Sequence, residues 1–220
     1  MKTYISATKL FILFLITGVI NTTGMAQNKE EHKGKYALQF QITQNFSLSS
    51  FQGSIISGKY NFSENDAVRL GISINSNTQD NNGLNTYNNQ SQKYSNINTS
   101  VVNNYSIMVQ YIKNNYYLSG INFYYGGGPN IGYYYSESNY KDISQNNRAI
   151  ERQWNYGINA IAGVEWYFIN NMSLSAEYGI LFNHFEDVKA NTQINVGSES
   201  KTNGFQVNAY SVRFGLAVYF

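Results

Sequence analysis

The chain has no cysteine and a single proline. Without cysteine there is no disulfide, no thiolate metal site and no lipid-anchored N-terminal thiol. Charged residues make up only 13% of the chain and histidines number two, His32 and His184, so a histidine-based metal site lacks ligands. No metal and no cofactor is expected. The longest apolar run, Leu10 to Ile20, is eleven residues and falls short of the ~20 that a helix needs to cross a bilayer. No stretch holds a 3.6-residue hydrophobic period, which removes helical bundles from consideration. Gly126-Gly127-Gly128 has neither a Lys-Ser/Thr nor a helix after it, so it is not a phosphate loop and is read as relief of crowding in a strand. The Asn-X-Ser sequons, such as Asn61-Phe62-Ser63, are what so Asn-rich a chain produces by chance.

What the chain has in quantity is 20 tyrosines and 13 phenylalanines among many Asn and Gly. That mixture favours strands, polar connections and aromatic surfaces. Residues 1–26 read as a secretory signal: Lys2 and Lys9, the apolar run, then Gly24-Met25-Ala26 before Gln27. Its removal leaves 194 residues (220 − 26), one domain's worth, and takes away two of 15 cations against 13 anions, so the net charge falls from +2 to 0. The apparent basicity therefore belongs to the signal and argues for no nucleic-acid partner. A short polar lead, 27–34, comes next, which a membrane barrel would place in the periplasm, and the remainder, 35–220, reads as alternating strands.

Eight such strands can be traced. Tyr36, Leu38, Phe40 and Ile42 share one face of the first, and Tyr60 and Phe62 mark the second. Val68 to Ile74, Tyr105 to Tyr111 and Tyr117 to about Tyr135 give the next three. Trp154 to Phe168 is the clearest, followed by Met172 to Phe182 and Phe205 to Phe220. Turns are expected at Ser63–Asp66, Lys113–Asn115 and Ile169–Asn171, and loops at 44–52, Asn77–Asn104, Ser136–Glu151 and Phe185–Gly204. The alternation of short turns and long polar loops matches transmembrane barrels. In the last strand the even positions, Gln206 to Phe220, are assigned to the apolar face and the odd positions to the other.

The apolar face could look inward, as in a soluble barrel, or outward into lipid. The opposite face is Gly, Ser, Ala, Asn and Gln with few charges, which suits a narrow lumen better than water. Trp154 and Trp166 are twelve residues apart on one face, about 40 Å at ~3.3 Å per residue. Tilted by roughly 40°, that is about 30 Å along the membrane normal, close to the ~25 Å apolar band with its aromatic girdles. The expected girdle is Tyr60, Phe62, Tyr111, Trp154, Tyr156, Trp166 and Phe168. The fold expected is all-β, an eight-stranded antiparallel up-and-down transmembrane β-barrel, in contact with outer-membrane lipid.

The ending, with Arg213, Gly215, Val218 and terminal Phe220, resembles the C-terminal strand of bacterial outer-membrane barrels, which the assembly machinery reads. With the eight strands, it makes the chain similar to the small OmpA/OmpX-type barrels. The resemblance implies an outer-membrane location and an assembly signal at those four residues. It implies no activity, and the chain stops where OmpA-type proteins often carry a peptidoglycan-binding domain.

The expected lumen charges are Lys59, Arg69, Glu165, Glu177 and Arg213. Buried charges must pair, most simply Glu177 with Arg213 and Glu165 with Lys59 or Arg69, as a plug or alternatively as the gate of a narrow channel. His184, in LFNHFED, lies where an outer-membrane lipid A deacylase would keep its catalytic His. The residue two positions on is Glu186 and not the Ser such enzymes use, so catalysis is not expected. A surface ligand is expected to meet the outer segment Asn77–Asn104.

Overall fold

The computed structural model describes residues 32–43, 53–86, 93–116, 120–141, 146–193 and 196–220. The expected signal, 1–26, lies outside these residues, as do 27–31 and the loop 44–52. Period-two alternation produces eight strands in the described chain. They are β1 (Tyr36–Ile42), β2 (Ser54–Asn61), β3 (Asp66–Thr86), β4 (Lys93–Tyr116), β5 (Ile121–Lys141), β6 (Asn146–Ile169), β7 (Met172–Gln193) and β8 (Val196–Tyr219). Each pairs antiparallel with the next, and β1 closes on β8 to complete the barrel. The seam is locked at the termini, where Phe220 N–H donates to Tyr36 O at 2.9 Å and Tyr36 N–H to Phe220 O at 3.1 Å. Closure leaves no edge at this level, as lipid demands.

The two faces are inverted relative to a soluble protein. Inside lie Gln39, Gln41, Gln110, Asn114 and Asn122, all buried, together with the charged side chains. Outside lie Leu38, Leu70, Ile72, Ile107, Val109, Ile158 and Leu216, all exposed. A continuous exposed band of this size marks contact with an apolar medium, and here the medium that fits is the bilayer.

Above the band the strands run on. β3 to β8 are 21 to 24 residues long, whereas a tilted strand crosses a bilayer in ~9–11. β1 and β2, with 7 and 8 residues, do not follow them. Three of the expected polar loops are therefore mostly strand. Asn77–Asn104 holds the β3–β4 ladder up to Thr86↔Lys93. Ser136–Glu151 is paired up to Lys141↔Asn146, and Phe185–Gly204 up to Gln193↔Val196. Both faces of these extensions meet water, so no hydrophobic alternation betrays them. The turn expected at Lys113–Asn115 also moves. β4 continues to Tyr116, and Lys113 ion-pairs with Asp66 at 2.8 Å at the periplasmic rim. The next strand is described from Ile121, and its expected start at Tyr117 lies outside the described residues.

A bulge corrects the reading of β8. Between Glu177↔Arg213 and Gly179↔Tyr210, Ser211 and Val212 stand against Tyr178 alone. One extra residue flips every side chain beyond it. Below the bulge the assignment stands, with Phe214, Leu216, Val218 and Phe220 outside. Above it, Tyr210 and Gln206 turn inward, Gln206 reaching Asn155 at 3.1 Å, while Phe205 (86% exposed) and Val207 face out. Val207 faces lipid two residues below the outer belt at Phe205, so Val207→Arg should cost about 1–2 kcal/mol, between the midplane and interface values, and Asn208→Arg much less. Urea titration of protein folded into lipid vesicles measures both, and equal losses would contradict the bulge.

Candidate functional site

The lumen holds the charge-bearing groups, and sheet geometry explains their pairing. In a ring of eight strands, β2 faces β6 and β3 faces β7 across the diameter. Lys59 on β2 reaches Glu165 on β6, Nζ to Oε2 at 3.0 Å, and Arg69 on β3 reaches Glu177 on β7, Nη2 to Oε2 at 2.6 Å. Each ion pair is thus a bar across the lumen. An eight-stranded interior is just wide enough for side chains to fill, and these fill it.

Each bar is held by neutral groups. Glu165 accepts from Ser173 Oγ and Tyr219 OH, both at 2.6 Å on Oε1, and from Tyr167 OH at 3.1 Å on Oε2. Lys59 also donates to Tyr219 OH at 3.1 Å. Arg69 donates from Nε to Gln110 Oε1 at 2.7 Å and from Nη1 to Gln39 Oε1 at 3.1 Å. Tyr124 OH adds a bond to Glu177 Oε2 at 3.1 Å, while the buried Glu177 Oε1 has no partner. Hydrogen bonds to the remaining lone pairs and protons are what make buried ion pairs tolerable.

Arg213 does not take the partner expected of it. It lies opposite Glu177 in register, yet Arg69 holds Glu177. The Arg213 guanidinium stacks instead on the Tyr210 ring, 3.6 Å from the centroid, with Nε and Nη1 buried and unbonded. The lumen set thus has three cations for two anions, and a ring face serves the odd one. Tyr124, Tyr167, Tyr210 and Tyr219 are the functional residues that sequence reasoning missed. Their strand phase was the available signal for the first, second and fourth, and the bulge hid it for Tyr210.

The periplasmic mouth is capped by the lead. His32 is buried and stacks on Tyr167, centroids 4.3 Å apart, and lies 4.9 Å from Tyr219. Burial holds its imidazole down at about 4, so it is neutral at pH 7.

The outer wall carries aromatics at two levels. Near the periplasm, Tyr60 stacks on Tyr36 at 4.6 Å, Phe62 lies 6.3 Å from Tyr111, and Trp166 lies 5.8 Å from Phe168. At the other level, Trp154 meets Tyr133 at 4.7 Å, and His184 sits between Tyr156 at 5.1 Å and Phe205 at 4.9 Å. His184 is thus part of an aromatic belt on the lipid side, with Glu186 at 3.8 Å. Arg213 and Gly215 of the C-terminal motif point inward, and Val218 and Phe220 outward. Among the described residues no group of three or more His, Asp or Glu is placed to hold a metal ion.

A closed antiparallel barrel of even strand number, apolar outside, polar and barred inside, with short turns at one end and long hairpins at the other, is a small outer-membrane β-barrel. Three solved structures are similar in fold. A major outer membrane protein from Thermus thermophilus matches with 14% identity and a TM-score of 0.44, over 84% of this chain and 98% of that one. Ail, the attachment invasion locus protein of Yersinia pestis, matches with 13% identity and a TM-score of 0.39, over 86% and 99%. CarO of Acinetobacter baumannii matches with 9% identity and a TM-score of 0.36, over 88% and 100%. At such scores the assignment rests on the closed sheet and its two faces, not on these likenesses. No protein-family model and no curated protein matches the sequence.

Proposed function

We propose that this outer-membrane barrel works through its outer hairpins, with the β3–β4 hairpin between Asn77 and Asn104 meeting a partner at the cell surface. The observation that carries this reading is the sheet itself. The β3–β4 ladder continues past Asn75↔Asn104 for eleven further pairs, to Thr86↔Lys93, well above the lipid band. The barrel has no need of that length, and a rigid platform that presents polar residues is a common basis for recognition. The two bars across the lumen count against an open pore, and the absence of a Ser two residues after His184 counts against lipid A chemistry.

The test keeps the barrel and removes the platform. Replacing 82–97 by an Asn-Gly turn joins Asn81 to Asn98, which are already paired, so the register below is kept. Cells carrying the shortened barrel should lose surface attachment by tenfold or more while the protein still reaches the membrane. Unchanged attachment would remove this hairpin from the function. Conductance measured at the same time, in planar bilayers with Glu165→Gln, would revive the channel if it appeared.

A further inference from the structure

A second outer feature lies on the other hairpins, away from Asn77–Asn104. At the tips of β5 to β8 the sheet forms an open cup of about 340 Å³, at the small end of the ~300–1,000 Å³ typical of ligand pockets. Its lining is a lattice fixed by register. One row across the four strands is Ser138↔Ala149, Ala149↔Asn191 and Asn191↔Ser198. The adjacent row, two residues further along each strand, is Tyr140↔Asn147 and Gln193↔Val196. Side chains two apart on a strand share a face, so all eight project from one side, the side continuous with the lumen.

The chemistry of the lattice is narrow. None of the eight side chains carries a charge. Two more residues line the cup from the intervening register positions, Thr192 and the half-exposed Arg148, whose guanidinium is bound to Glu137 at 2.9 Å. Hydrogen bonds from Tyr135, Asn139 and Arg148 hold that Glu137 carboxyl down at about 2, so the pair is intact at neutral pH. The one cation of the described lining is therefore offset by the Glu137 carboxylate, and the cup presents no net charge to an anionic ligand. Asn147, Asn191 and Gln193 each present a donor and an acceptor side by side, the pattern that adjacent hydroxyls, which also donate and accept, can answer twice. Tyr140 supplies one flat apolar face, and Ala149 leaves room in the floor.

We infer that this cup is a binding site for a neutral saccharide of one or two rings, its C–H face on Tyr140 and its hydroxyls on the three amides. The site opens on the outer side of the membrane, where saccharides are displayed. It does not rest on the β3–β4 hairpin, and either can fail alone.

The test uses the full barrel in phosphatidylcholine nanodiscs, which avoids sugar-headed detergents. Calorimetric titration with di-N-acetylchitobiose, lactose and maltose should give saturable binding for at least one. Tyr140→Ala should weaken it at least tenfold. Ala149→Trp, which fills the cup without removing a polar group, should do the same, and heat-modifiable gel migration would confirm that both variants are folded. Replacing 82–97 by the short turn should leave the affinity within twofold. Three results overturn the inference: no binding of any of the three sugars at millimolar concentration, binding that survives both cup variants, or an extended peptide binding the cup in place of sugar.

Discussion

Glu177→Ala should destabilise the barrel by about 3–5 kcal/mol, the loss seen when one partner of a buried ion pair is removed. Glu177 is fully buried and Arg69 is 2% exposed. The substitution strands a guanidinium in the lumen and removes the acceptor of Tyr124 OH. Neither Gln39 nor Gln110 carries charge, so neither can stand in for the carboxylate. The check is the urea midpoint of unfolding from lipid vesicles, with gel migration of the unheated protein as a second reading.

Arg213→Met should behave differently, although Arg213 sits opposite Glu177 in register. It loses a stacking contact on Tyr210 worth about 2 kcal/mol when desolvated. It also removes a buried guanidinium with two unbonded nitrogens, each a cost of about 1–3 kcal/mol. For the two nitrogens together that relief is about 2–6 kcal/mol, which matches or exceeds the loss, so Arg213→Met should leave stability unchanged or raise it. A loss for Arg213→Met as large as that for Glu177→Ala would mean that Arg213, and not Arg69, is the partner of Glu177.

That contrast shows where the sequence was legible. Within the lipid band each strand has one apolar and one polar face, so Trp154 to Phe168 and Met172 to Phe182 could be read residue by residue. The inward phase of Lys59, Arg69, Glu165 and Glu177 followed from the same alternation. Lys59 was one of two cations expected for Glu165, but the partner of Glu177 was not legible, because the pairs form across the diameter, and strand order along the chain says little about reach across a lumen. The outer extensions were illegible for another reason. At Asp80↔Thr99 or Ser138↔Ala149 both faces of the sheet are wet, so the backbone ladder remains while the side-chain period vanishes. The β8 bulge was hidden because Ser211 and Val212 each suit either face, and its consequence, an inward Tyr210, shows only in the pairing with Gly179.

Gly179→Val tests that consequence with the second large effect. A Cβ at Gly179 would overlap the Tyr210 hydroxyl and lie 2.8 Å from the Ala160 carbonyl oxygen. The carbonyl belongs to the β6 backbone and cannot yield, so Tyr210 must leave its place. It then uncovers Arg213, whose ring contact is lost. Overpacking alone costs about 1–3 kcal/mol, and the lost stacking adds about 2, so the total should be about 3–5 kcal/mol. Removing the ring in Gly179→Val/Tyr210→Ala should recover only part of this, since the approach to the Ala160 oxygen remains. Gly58→Val is the control. Gly58 faces outward with nothing within 4 Å of a Cβ, and a β-branched residue suits such a position, so its stability should hold or rise slightly. If Gly179→Val proved as mild as Gly58→Val, Tyr210 would not lie over Gly179. Both the bulge and the seat it gives Arg213 would then be wrong.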